Sequence, residues 1–131
     1  MSFTLDPTRP LYLQIMEEIK KRTVRGQYTP GSQLPSVREM AKEVGVNPNT
    51  IARVYMELER EGFIVTRRGQ GSFVTEESGR VEYERNRLAD NTAERFIREI
   101  SQLELHNVHK QELLTMIREQ LSEQDKKQEN R

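Results

Sequence analysis

Apolar residues recur every three or four positions through the first third of the chain. In RPLYLQIMEEIKKRTVRG, Leu11, Ile15 and Ile19, joined by Tyr12 and Met16, form one face at helical spacing. Pro10 suits a first helical position and Gly26 an end, so the pattern predicts a helix over 10–25. YTPGSQLP, with its two prolines, follows as a turn-rich connector. SVREMAKEVG opens with Ser36 and Glu39 at the spacing of a capping box, buries Val37, Met40, Ala41 and Val44, and stops at Gly45. GVNPNTIARVYMELEREG writes a third helix over 47–61. Asn47 is its cap and Pro48 its first residue, and Gly62 closes it. Ile51, Val54, Tyr55 and Leu58 fall at i, i+3, i+4 and i+7 and face inward, while Asn49, Thr50, Arg53 and Glu57 face outward.

The period then changes. FIVTRRGQGSFVT is two short runs of β-branched and aromatic residues around two glycines, which reads as a hairpin with a loop of several residues. Beyond Thr75 the chain turns charged and helix-favouring. Phe96, Ile97, Ile100 and Leu103 form one stripe, and Leu113, Leu114, Ile117 and Leu121 form another, with Asn107 as the expected cap between them. The closing SEQDKKQENR is too polar to pack and is expected to fray. There is no internal repeat. The fold class expected is mostly α with a small β-hairpin: a winged helix-turn-helix over 1–75, a two-helix segment over 76–124 and a flexible tail over 125–131.

Composition narrows the function. With 131 residues, 34% hydrophobic and 32% charged, one domain with an appendage is expected, and its core is thin enough to benefit from a partner chain. The two tail stripes have too little of their own chain to cover them, so they are expected to pack on a second copy as a homodimer. The absence of cysteine removes disulfides and thiolate chemistry. MSFTLDPTRPLYLQ has no signal-peptide pattern, and no apolar run is long enough to span a bilayer, so a soluble cytoplasmic protein without a membrane partner is expected. The net charge of zero conceals a division. Residues 1–75 hold 11 Lys and Arg against 8 Asp and Glu, and the remainder 10 against 13, so the first part suits a polyanion better.

Three helices followed by a hairpin in so short a span is the layout of a winged helix, whose third helix enters the major groove with its first residues against base edges. Asn49 and Thr50 would offer short donors and acceptors there, and Arg53, one turn on, could reach guanine or a phosphate. RRGQG would bring Arg68 and Gln70 to a minor groove or the backbone, with Gly69 and Gly71 allowing close approach. Each feature also has a plainer reading. Asn47-Pro48 caps a helix in any protein, Arg38 and Arg53 alone are ordinary surface arginines, and RRGQG alone is an ordinary hairpin loop. The G-x-G within it is no nucleotide site, because no helix follows. His106 and His109 have no third ligand nearby and read as surface or cap residues, so no metal and no cofactor is expected. No nucleophile–base pair suggests an enzyme. The competing function is a winged helix serving as a protein-interaction module, which should expose apolar rather than polar residues on its third helix.

GQYTPGSQLPSVREMAKEVGVNPNTIARVYMELEREGFIVTRRGQGSFV resembles the winged helix of the GntR family of bacterial transcription regulators, over about residues 9–75. The short helical tail and VNPNT resemble its YtrA-type subfamily. The resemblance implies a homodimeric repressor that binds double-stranded DNA, with the tail mainly supplying the dimer contact. The two-fold symmetry of such a dimer makes an inverted-repeat operator the expected site. Larger relatives carry a longer effector-binding domain, so whether any small molecule binds here stays open. Subfamily members often sit beside transporter genes, which the resemblance makes the expected targets. Carried over by residue, Arg38 matches a DNA-contacting arginine at the start of helix two. Asn47, Asn49 and Thr50 match polar contact positions of the recognition helix, and Arg68, Gly69 and Gln70 match the wing tip. Pro48 and Ala52 stand where many relatives have arginines, and Gln70 stands where a lysine is frequent. The base contacts of those relatives therefore do not transfer directly.

Overall fold

The computed structural model describes residues 4–129. Helix α1 (Leu11–Val24), α2 (Val37–Val44) and α3 (Pro48–Arg60) precede strands β1 (Ile64–Arg67) and β2 (Gly71–Val74), and two longer helices follow, α4 (Arg80–Ser101) and α5 (Asn107–Glu129). The first three helices form where the periodicity places them, because their inward faces meet in one core. Ile15 and Ile19 of α1, Met40 of α2 and Ile51, Val54 and Leu58 of α3 are all fully buried, with Phe63, Ile64 and Val74 closing the core from the hairpin. Each such side chain contributes about 1.5–3 kcal/mol relative to exposure, so α3, with three of them, is the best-anchored element.

β1 and β2 pair antiparallel, with Ile64 opposite Val74 and Arg67 opposite Gly71. The connector before α2 adds a short third edge. Gln33 bridges to Phe73, the Leu34 N–H donates to the Ser72 carbonyl at 2.8 Å, and the Val74 N–H donates to the Ser32 carbonyl at 2.9 Å. A segment that reads as a loop in sequence thus serves as sheet edge.

Two compact units divide the chain between Asn91 and Thr92, within α4. The first half of α4, ahead of the apolar stripe that predicts the tail helix, belongs to the first unit. Glu84 is 1% exposed and holds that half to the winged helix. Its carboxylate accepts from Arg80 at 2.9 Å and lies 3.3 Å from the Lys20 ammonium, which also donates to Glu61 at 2.7 Å. A buried charged anchor leaves no apolar signature in sequence.

The second unit, from Thr92, holds the end of α4 and all of α5. Ile100, Leu105, Leu113 and Ile117 are half-buried, and no described residue of α5 is buried. Phe96, Ile97, Leu103, Leu114 and Leu121 are exposed. α5 takes Asn107 as its first residue, so the cap falls one position earlier than expected, at His106, whose carbonyl accepts from the Lys110 N–H at 3.0 Å. α5 also continues to Glu129, through most of the segment expected to fray; residues 130 and 131 lie outside the described residues.

Candidate nucleic-acid interface

The start of α3 is built by its cap. Asn47 Oδ1 accepts from the Asn49 N–H at 2.8 Å, and Pro48 removes a donor that would otherwise need a partner. Asn47 and Asn49 are exposed and Thr50 is half-buried, so the first turn presents short polar groups outward while Ile51 turns into the core. The oxygen of Asn47 is committed to the cap, and its amide donors are what it has left to offer.

α2 starts in a complete capping box. The Glu39 N–H donates to Ser36 Oγ and the Ser36 N–H donates to Glu39 Oε1, both at 3.1 Å. Donation from the Ser36 backbone and hydroxyl holds the Glu39 carboxyl below its usual range. Arg38 leaves this turn into solvent. A groove of about 640 Å³ separates the turn from the hairpin, lined by Gln33, Pro35, Ser36, Glu39, Tyr55 and Gln70 among others. At its floor the Tyr55 hydroxyl donates to the Pro35 carbonyl at 2.6 Å. Burial pushes the Tyr55 phenol far above its usual range, so it keeps its proton and its donor role.

The wing is held from the side. Gln33 Nε2 donates to the Gln70 carbonyl at 2.7 Å, at the turn end of the hairpin. Gly71 sits at φ +116°, and a Cβ there would lie 2.7 Å from that same Nε2, so no larger residue fits without displacing the clamp. Arg67 lies over the Phe73 ring at 4.4 Å. The tip, Arg68, Gly69 and Gln70, is fully outward. Thr66 Oγ1 donates to Glu59 Oε2 at 2.8 Å, which ties β1 back to α3.

The residues expected from sequence therefore fall into three places, with Asn47, Asn49 and Thr50 together at the start of α3. The turn carrying Arg38 and the wing tip carrying Gln70 border one groove. Arg53 points elsewhere: its guanidinium lies over the Tyr12 ring of α1, 3.9 Å from the centroid. Charge pairing separates the cations. Arg9, Lys20, Arg22, Arg25 and Arg60 all sit beside carboxylates. Among the described residues of the winged helix Arg38, Arg53, Arg67 and Arg68 are exposed arginines that form no ion pair, and Lys21 and Lys42 are exposed lysines that form none. Gln33 and Tyr12 escape sequence reasoning as site residues. One stands in a connector, and the other counts as part of an apolar face. His106 and His109 are exposed at the start of α5, and no group of three metal-ligating side chains occurs among the described residues.

A capped helix with a polar outward turn, a second short helix before it and a hairpin behind it define a winged helix-turn-helix. The chain belongs to the GntR family. The model of bacterial regulatory proteins of the gntR family matches residues 11–74. The chain is 46% identical over 98 residues to the uncharacterized HTH-type transcriptional regulator YhcF of Bacillus subtilis (strain 168), covering 75% of this chain and 81% of that protein. It is 46% identical over 74 residues to the HTH-type transcriptional repressor YtrA of the same organism, covering 55% of this chain and 57% of that one. Among solved structures, a GntR family transcriptional regulator from Listeria monocytogenes superimposes with a TM-score of 0.74 at 37% identity, over 88% of this chain and 98% of that chain. The DNA-binding domain of AraR in complex with operator ORX1 superimposes with a TM-score of 0.52 at 26% identity, over 57% and 95%. The chain is accordingly a DNA-binding transcription regulator of this family. No helix among the described residues is long and apolar enough to cross a membrane.

Proposed function

We propose that the protein is a cytoplasmic repressor that binds an inverted-repeat operator as a homodimer, with α3 in the major groove and the wing at residues 67–72 on the flanking backbone or minor groove. The observation that carries this reading is the set of exposed arginines of the winged helix, Arg38, Arg53, Arg67 and Arg68, left without carboxylate partners, while its other arginines, Arg9, Arg22, Arg25 and Arg60, are neutralised. Free cations gain most by displacing counterions from phosphates. Asn49 and Thr50 supply the base-edge contacts, Asn47 adds its amide donors, and Arg38, Arg68, Gly69 and Gln70 fix the register against the duplex.

The dimer reading rests on the second unit. Phe96, Ile97, Leu103, Leu114 and Leu121 are exposed and Ile100, Leu113 and Ile117 only half-buried, an apolar area larger than a lone helical pair leaves to water by design. A repressor role agrees with the name of the YtrA relative, and transporter genes are the targets we propose first.

The test is selection of bound duplexes from a random pool, followed by gel-shift titration of Arg38→Ala and Thr50→Ala. A single operator should emerge, with affinity falling steeply as salt rises. Loss of one base-edge contact at Thr50 should cost about 1–3 kcal/mol with the fold intact. Recovery of no preferred sequence, or unchanged affinity in both variants, overturns the reading. Mapping the recovered operator upstream of transporter genes checks the target.

A further inference from the structure

Arg53 occupies an unexpected place for a residue of the outward face of a recognition helix. It lies one turn beyond Asn49, on the same side of α3. Its guanidinium nevertheless lies over the Tyr12 ring of α1, 3.9 Å from the centroid. The ring is a fixed platform, because Tyr12 is half-buried and the positions one turn on, Ile15 and Met16, are in the core. The ring contact takes up none of the guanidinium's N–H donors, and Arg53 is exposed and has no carboxylate partner among the described residues.

A planar fork held in this way is suited to one kind of acceptor. Reading guanine requires the side chain to extend beyond the helix surface to the groove floor and meet O6 and N7 together. An arginine drawn back along the neighbouring helix stays at the level of the groove wall, where the acceptors are phosphate oxygens. We propose that Arg53 binds a backbone phosphate of the operator and that Tyr12 is its positioning residue, holding the guanidinium ready so that little side-chain freedom is lost on binding. This rests on the operator-binding reading above and deepens it: Arg53 contributes affinity and register, while discrimination among bases falls to Asn49 and Thr50.

The experiment measures binding of the full chain to the selected operator and to a scrambled duplex of the same composition, across a salt series. Wild-type protein must first show salt-dependent binding to the operator; its failure to bind removes the operator reading and this one together. Arg53→Ala is then expected to weaken both duplexes by the same factor, leaving the specificity ratio unchanged, and to lower the salt slope by about 0.9 per protomer bound. Tyr12→Phe keeps the ring and should behave as wild type. Tyr12→Leu should lose part of the affinity, and lose nothing further when Arg53 is already alanine, because the two act as one unit. A purely structural Tyr12 would instead weaken binding equally in both backgrounds. The proposal is overturned if Arg53→Ala alters base preference with the slope unchanged, if it leaves affinity unchanged, or if the Tyr12 and Arg53 effects simply add.

Discussion

Gln33 shows how one exposed side chain can govern a surface loop. Its amide nitrogen donates to the Gln70 carbonyl at 2.7 Å and occupies the space that any Cβ at position 71 would need. The wing tip is a three-residue loop between β1 and β2. Gln33→Ala should leave thermal stability nearly unchanged, since the residue is exposed, but should release the tip that presents Arg68 and Gln70. One hydrogen bond of this kind is worth about 1 kcal/mol, or roughly fivefold in operator affinity. Gel-shift titration beside a thermal melt separates the two effects, and undiminished affinity would mean that the wing needs no clamp. Tyr55 is the buried counterpart: its hydroxyl fixes Pro35, the residue before the capped start of α2, so the connector is pinned at both its polar ends.

At the scale of elements, the first half of α4 is held to the winged helix by charge. Glu84 is 1% exposed and sits between Arg80 and Lys20, whose side chain is 10% exposed. Removing one member of a buried ion pair costs about 3–5 kcal/mol, because the other is left uncompensated. Glu84→Ala should fall at the low end of that range, since Lys20 keeps Glu61 at 2.7 Å. Replacing both, Lys20→Met with Glu84→Leu, should recover most of the loss, as apolar pairs of similar volume commonly do. Urea denaturation of the single and double variants measures this. Equal destabilisation in both would show that packing rather than charge pairing holds the helix.

For the whole molecule, two-fold symmetry links the proposed dimer to the operator. Ile100 and Ile117 are half-buried in the second unit, and replacing both with aspartate should yield monomers whose winged helix still melts as a folded unit. Sedimentation gives the mass, and a dimer of undiminished strength would remove the tail from the interface. A dimer places two recognition helices about one axis, so the half-sites should form an inverted repeat with centres roughly 10 base pairs apart, one helical turn. Lengthening the spacer by about 5 base pairs turns one half-site to the far side of the duplex and should weaken binding more than lengthening it by about 10. Equal affinity for all spacers would mean that the two halves bind independently.

Local signals alone determined the first three helices, the caps of α2 and α3 and the hairpin, while Pro10 stands as the N-cap of α1 and not as its first residue. Ser36 with Glu39, Asn47 with Pro48, and the apolar repeat of Ile51, Val54, Tyr55 and Leu58 act within one or two turns of chain, so they are legible before any tertiary contact forms. The same locality made the outward turn of Asn49 and Thr50 readable. What the tertiary structure decided depends on partners distant in sequence. Gln33 meets Gln70, Glu84 meets Lys20, and Arg53 meets Tyr12, each across 37 residues or more. Periodicity reports which face of an element is apolar, but not which polar side chain on another element will answer it. That is why the sequence leaves Arg53 open between guanine and phosphate, and why its stacking on α1 is visible only once the helices are packed.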